Sequence, residues 1–305
     1  MIFLKAQGRL GNQLFQYSFA KYIYKVTNGN GIKIDFDRVR KNSKEKGDGW
    51  DNSLTDVGIK DFTEIYYSQI KYLPVWIKLK LIRSILAKKS PSKRCGEKDG
   101  VILCYDPIEQ HFKLKNQNYI LDGLFEYNYV VDEVLNDIRN QIIDVQSLEE
   151  SKKKLYSELE KKEVVCVSIR KFDLEDPKFS HFYQVCSKKY YINAIESISK
   201  EVGHPVNLFV CSDAIQWCKD NMQFENMNCV NEAIYEKEKN SLRDKLILMS
   251  ASKYFVISNS TFSWWAQKLS VNKANGIVCA PYMWNAKYRT QDMGLYDSSW
   301  KLIQN

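Results

Sequence analysis

Four short polar stretches each follow an apolar run, and three of them carry groups suited to holding anions or hydroxyls. They are "GRLGNQ" near the N-terminus, "RKFD" after "VVCVSI", "SD" after "NLFVC", and "NSTFSWW" after "YFVIS". In the last, the apolar run enters Asn259, Ser260 and Thr261 just where a helical pattern begins. Free backbone N–H groups and the positive end of a helix dipole suit a phosphate there. The hydroxyls of Ser260, Thr261 and Ser263 add donors, although the same residue types also serve as ordinary helix caps. Arg170 stands directly after "VVCVSI", where a guanidinium can grip a diphosphate through two oxygens or make a solvent salt bridge. Asp173 is the carboxylate nearest to it in sequence. Ser212 and Asp213 end another run; Asp213 can accept from ribose hydroxyls or a purine edge, or cap the helix that follows. In the opening stretch Gly8 and Gly11 let the backbone pass close to a ligand or a neighbouring loop. Arg9, Asn12 and Gln13 then offer a cation and neutral amides suited to phosphate oxygens or sugar hydroxyls. The Gly8-x-x-Gly11 spacing is not that of a dinucleotide fingerprint.

These residues need a scaffold that brings strand ends together, and the rest of the chain supplies one. "MIFLKA" reads as a buried strand, "NQLFQYSFAKYIYKVT" as a helix and "GIKIDF" as the next strand, the opening of a parallel α/β unit. Residues 40–60 read as a polar loop. "YILDGLFEY" (119–127) is a further strand, residues 130–142 a helix, and residues 145–163 a charged connector helix. The strand–helix rhythm then restarts: strands at 164–169, 207–213, 254–260 and 276–281 alternate with helices at 190–202, after Asp213, at 244–252 and from Thr261. In such sheets ligands sit beyond the carboxyl ends of the strands, where all four polar stretches fall. The chain therefore divides into an N-terminal α/β domain at 1–150 and a C-terminal one at 151–285. The tail at 286–305 is expected to return to the first domain.

The formal charge of +8 is local: residues 71–94, "KYLPVWIKLKLIRSILAKKSPSKR", hold the whole excess and no acid. A nucleic-acid binder would spread its cations differently. The segment reads as a partly buried helix with a solvated basic side, or as a foot on an anionic membrane. The eight cysteines include no CxxC pair and several lie in apolar runs, which predicts reduced core thiols. The three histidines, 111, 181 and 204, have no partner at metal-ligand spacing, so no metal site is expected. Neither a signal-peptide pattern nor a spanning apolar run is found, which predicts a cytoplasmic protein, peripheral at most at the inner face of the membrane.

Taken together, "GRLGNQLFQY", "ILDGLFEY", "LFVCSDAIQWCKDN" and "LMSASKYFVISNSTFSWWAQKLS" resemble the α-1,2-fucosyltransferases of bacterial surface-polysaccharide synthesis, which build O-antigen and capsule. The resemblance implies a GT-B-like α/β fold, two Rossmann-like domains facing across a cleft, with the acceptor on the first and the nucleotide-sugar on the second. It implies a GDP-fucose donor, inversion at the anomeric carbon, a glycan or lipid-linked acceptor, no cofactor and no required metal. It places Arg170 on the pyrophosphate, Ser260, Thr261 and Phe262 on the donor-phosphate turn, and Asn12 on a loop over the sugar diphosphate; Arg9, Ser212, Asp213 and Asn259 complete the donor side. An inverting displacement wants a base, for which Asp173 is the first candidate and Glu126 the reserve. The family usually carries a histidine, a second arginine and a glycine where this chain has Ser168, Lys171 and Phe172. That departure leaves two alternatives in view: a transferase using a different GDP-sugar, and a weak nucleotide-sugar or glycan binder.

Overall fold

The computed structural model describes residues 1–46, 51–66, 75, 78–79, 95–171, 185–237, 240–272 and 276–305. The chain divides into two compact units, Met1–Gln141 with Met293–Leu295, and Ile142–Asp292 with Tyr296–Asn305. The class is the one read from the sequence: α/β, with two mostly parallel sheets.

The first unit runs β1 (Ile2–Lys5), α1 (Leu10–Val26), β2 (Ile32–Asp35), α2 (Asp37–Lys46), α3 (Ser53–Asp56), β3 (Thr63–Ile65), β4 (Cys95–Lys98), β5 (Val101–Cys104), β6 (Tyr119–Gly123) and α4 (Asn128–Ile142). Its sheet has the order β3-β2-β1-β6-β5-β4, parallel except for the β4–β5 pair. Burial of Leu14, Phe15, Phe19 and Ile23 against Ile2 and Leu4 holds α1 to the sheet, with Phe19 stacked on Phe125 at 4.3 Å between ring centroids. Each large apolar side chain buried this way contributes about 1.5–3 kcal/mol.

The polar stretch 40–60 is not simply a loop. It contains most of α2 and all of α3, because two local devices substitute for an apolar stripe. Asp35 accepts from the Asp37 N–H at 2.9 Å while Val39 anchors α2 in the core. Asn52 caps α3 by accepting from the Thr55 N–H, and Leu54 and Val57 are buried beneath. Nor are all the cysteines free thiols. Cys95 and Cys104 face each other across the antiparallel β4–β5 pair and are joined as a disulfide; the other six are free. The basic segment 71–94 lies outside the described residues except for positions 75, 78 and 79.

The second unit contains α5 (Glu150–Lys161), β7 (Val165–Ile169), α6 (Lys188–Val202), β8 (Val206–Ser212), α7 (Ile215–Met222), β9 (Val230–Tyr235), α8 (Leu242–Ser250), β10 (Tyr254–Ile257), α9 (Thr261–Leu269), β11 (Val278–Pro281) and β12 (Lys301–Ile303). The pairings within its six-stranded sheet are all parallel, in the order β12-β11-β10-β7-β8-β9. The central strands β7 and β10 are buried throughout, as doubly covered parallel strands must be. The boundary falls at Gln141/Ile142 rather than at 150. The tail does not return to the first unit as a whole: only Met293–Leu295 does, and Lys301–Ile303 adds the strand β12 beside β11. No helix among the described residues is long and apolar enough to cross a membrane.

Candidate functional site

In the second sheet the chain leaves β7 toward β8 and β9, then crosses to the other side of β7 for β10, β11 and β12. The reversal makes the carboxyl ends of β7 and β10 a topological switch point, where helices diverge to opposite faces and leave a crevice. Ser168 pairs with Ile257 across this junction. Arg170 and Asn259 each lie two residues further on, so they leave adjacent strands at the same level.

The end of β8 supplies the partner for Arg170. Its Nη1 donates to Asp213 Oδ2 at 2.7 Å, both side chains being about a quarter exposed. The other carboxylate oxygen, Oδ1, accepts from the Lys171 N–H at 2.9 Å. Ser212 Oγ accepts from the Ala214 N–H at 3.0 Å. Asp213 is therefore occupied in orienting the guanidinium, and it does not cap α7, whose N-cap residue is Ala214.

After β10 the chain turns into α9. Ser260 is the N-cap in an extended conformation, and its side chain makes no capping hydrogen bond. Ser187 and Ser241 do cap α6 and α8. Ser260, Thr261 and Phe262 are half-buried at the turn, while Trp264 and Trp265, fully buried and edge to face at 5.2 Å, pin the helix from behind. Asn259 is buried and works within the protein: its Nδ2 donates to the Trp284 carbonyl at 3.0 Å, and the Cys186 thiol donates to its Oδ1. An α-helix start of this kind presents N–H groups to an anion. Asp173 and Phe172 lie outside the described residues.

The first sheet has its own switch point, between β1 and β6. The amides of "GRLGNQLFQY" build the turn there. Gln16 Nε2 donates to the Gln7 carbonyl and its Oε1 accepts from the Gln7 N–H, both at 2.9 Å and buried. Gln13, read from the sequence as facing a sugar, is buried and braces two loops instead. It donates to the Gly8 and Asp51 carbonyls and accepts from the Ser53 N–H. Gly8 has φ +75°, and a Cβ there would lie 2.6 Å from Asn12 Nδ2, so only glycine suits the turn. Arg9, exposed, is the N-cap of α1 and makes no side-chain cap. Replacing Gln16 by leucine strands the buried N–H and carbonyl of Gln7. It is expected to lower unfolding stability by about 2–4 kcal/mol, measured by denaturant titration.

At the end of β6 the backbone is strained. Phe125, buried, has φ +54°, a conformation costly for a bulky side chain that the surrounding packing must hold in place. Glu126 follows, 7% exposed, and burial pushes its carboxyl up to about 7. Gly294 seats against this corner: it accepts from the Asn128 N–H at 2.7 Å, and a Cβ on it would lie 2.7 Å from Tyr127 Cδ1 and 3.0 Å from the Glu126 carbonyl oxygen. On the same strand, the fully buried Asp122 is approached by Lys5, Arg38 and the Tyr105 hydroxyl. The roles of Gly294, of the Phe125 backbone and of Asp213 toward Arg170 carry no signal in the sequence.

Each switch point thus joins a helix start without a side-chain cap to a charged group on a neighbouring strand end: Arg170 in one unit, the buried Glu126 in the other. The chain is similar to known glycosyltransferases. An α-1,2-colitosyltransferase of Escherichia coli is 26% identical over 305 residues, covering 97% of this chain and 96% of that protein. The O-antigen biosynthesis glycosyltransferase WbnK of Escherichia coli is also 26% identical, covering 92% and 93%. Among solved structures, a glycosyl transferase family 9 protein from Veillonella parvula aligns with TM-score 0.47 and 12% identity over 99% of this chain and 86% of that one. The fucosyltransferase NodZ from Bradyrhizobium gives 0.45 and 13% over 87% and 91%. Residues 1–304 match glycosyl transferase family 11, so the chain, with both switch points inside that match, belongs to this family of glycosyltransferases.

Proposed function

We propose that the chain moves L-fucose from GDP-fucose to a hydroxyl of a glycan acceptor, with inversion and without a required metal, forming an α-1,2 linkage in an O-antigen repeat unit. The observation that supports this reading best is the Arg170–Asp213 pair beside the start of α9, where the N-cap Ser260 makes no side-chain cap. Breaking a nucleotide-sugar bond builds negative charge on the departing diphosphate. A guanidinium already oriented by a carboxylate, together with helix-terminal N–H groups, receives that charge without reorganising. Arg170 and the Ser260–Thr261–Phe262 turn take this role, with Asn259, Ser212 and Asp213 shaping the seat. Of the two carboxylates read from the sequence as bases, Glu126 has the fitting environment, since a pKa near the working pH serves proton transfer best. The acceptor is lipid-linked, and the protein works at the cytoplasmic face of the membrane.

A second reading follows from the colitosyltransferase relative: a colitosyl donor in place of fucosyl. Incubation with GDP-fucose, GDP-colitose and other GDP-sugars in the presence of EDTA, following GDP release, decides between them. Release selective for GDP-fucose is the expected result. Preference for GDP-colitose selects the second reading, and binding without release, with acceptors present, overturns both.

A further inference from the structure

Beneath the start of α9 lie three hydroxyls from three different elements. Ser168 is on β7, Ser258 follows β10, and Ser263 is in the first turn of α9. Ser168 Oγ and Ser263 Oγ are 2.7 Å apart, and Ser263 Oγ and Ser258 Oγ 2.9 Å. All three residues are at most 5% exposed. The link from Ser168 to Ser263 spans 95 residues of sequence and ties the strand that ends in Arg170 directly to the helix turn that presents its N–H groups.

Two features set this chain of hydroxyls apart from ordinary core polarity. First, its position: Ser168 is two residues before Arg170, and Ser258 and Ser263 bracket the turn formed by Asn259, Ser260, Thr261 and Phe262. Neither Arg170 nor the α9 turn can shift without breaking a buried link, and a broken buried hydrogen bond is costly. Second, its span: the two links join β7, the residue after β10 and the first turn of α9 through buried oxygens alone.

We infer that Ser168, Ser263 and Ser258 are positioning residues that hold the guanidinium strand and the α9 turn at a fixed separation for a diphosphate. This rests on the reading that the crevice between β7 and β10 holds the donor's diphosphate. It goes beyond that reading by assigning the separation to buried hydroxyls that the ligand does not touch. It also gives a reason for a serine at position 168: the side chain is short enough to reach Ser263 within the junction.

The test is equilibrium binding of inorganic pyrophosphate and of GDP to the full chain, with thermal melts in parallel. Ser168→Ala and Ser263→Ala are each expected to weaken pyrophosphate binding by about tenfold, the equivalent of one hydrogen bond to a charged system. The double variant is expected to be scarcely worse than either single one, because the links act as a unit. Ser168→Thr keeps the hydroxyl and is expected to bind within about twofold of the native protein. Alanine variants that melt earlier yet bind pyrophosphate as tightly as the native protein when folded would overturn the inference, leaving the serines a purely structural role. Native protein that binds no pyrophosphate would overturn both the inference and the anion seat. Pyrophosphate binding that responds to the serines, with no turnover of any GDP-sugar, supports the inference while overturning the proposed reaction.

Discussion

Glu126→Gln is expected to stop transfer and, above pH 7, to make the protein more stable than the native form. The carboxyl of Glu126 is held near 7 by burial, against an ordinary value of 4.5. Between those values the folded chain keeps a proton that the unfolded chain has already released. Stability therefore falls as pH rises through this window, and above 7 the whole cost is present. Glutamine keeps the shape of the protonated acid and has no charge to desolvate. At pH 8 the variant should gain on the order of 3 kcal/mol, the cost of ionising a buried carboxyl held up at about 7, which a calorimetric melt reads as several degrees. At pH 4 the two proteins should melt together, since both then carry a neutral group. Transfer, by contrast, should fall by about 10²–10⁴-fold, the usual worth of a placed base. Native transfer should rise with pH through about 7, the value set by burial, as the base becomes ionised. Equal melting at both pH values would refute the desolvation argument, and a variant retaining most of its rate would remove Glu126 from the chemistry.

Arg170→Ala carries the other large effect. Loss of the guanidinium leaves the departing diphosphate with backbone N–H groups alone. GDP release is expected to slow by on the order of 10³-fold, the cost of deleting one preorganised charge stabiliser. The fold should be little affected, because the side chain is a quarter exposed and Asp213 keeps its bond from the Lys171 N–H. Arg170→Lys should recover only part of the rate, since an ammonium lacks the planar fork. Asp213→Asn should cost less than either, and adding it to Arg170→Ala should cost almost nothing further, because its work is to aim the arginine. Additive losses in that double variant would show that Asp213 acts on the ligand independently.

The second sheet was legible from sequence where burial is complete. "VVCVSI" and "YFVIS" are continuous apolar runs because β7 and β10 are covered on both faces. β9 was missed, since in "VNEAIY" the exposed Asn231 and Glu232 interrupt the run, and β4, "CGEK", is an exposed edge with no pattern at all. α2 was missed because Val39 is its buried anchor in an otherwise polar helix. At the candidate site, strand ends singled out Arg170 and Ser260 by position alone. What position could not reveal is which polar groups are already engaged. Gln13 and Asn259 look like ligand amides in one dimension but are spent on backbone carbonyls in three. Ser168 looked like a departure from a motif and proves to have Ser263 as its partner.

Met293–Leu295 belongs to the first unit although the chain reaches it only after building residues 142–292 of the second. A ribosome working from the N-terminus therefore delivers Gly294, which seats against Glu126 and Tyr127, only after residues 142–292. Until then the corner around the carboxyl stands incomplete, so the nascent first half cannot mature on its own. A fragment cut after residue 141 would inherit the same gap permanently, and the two halves would need to be expressed as one chain or supplied together.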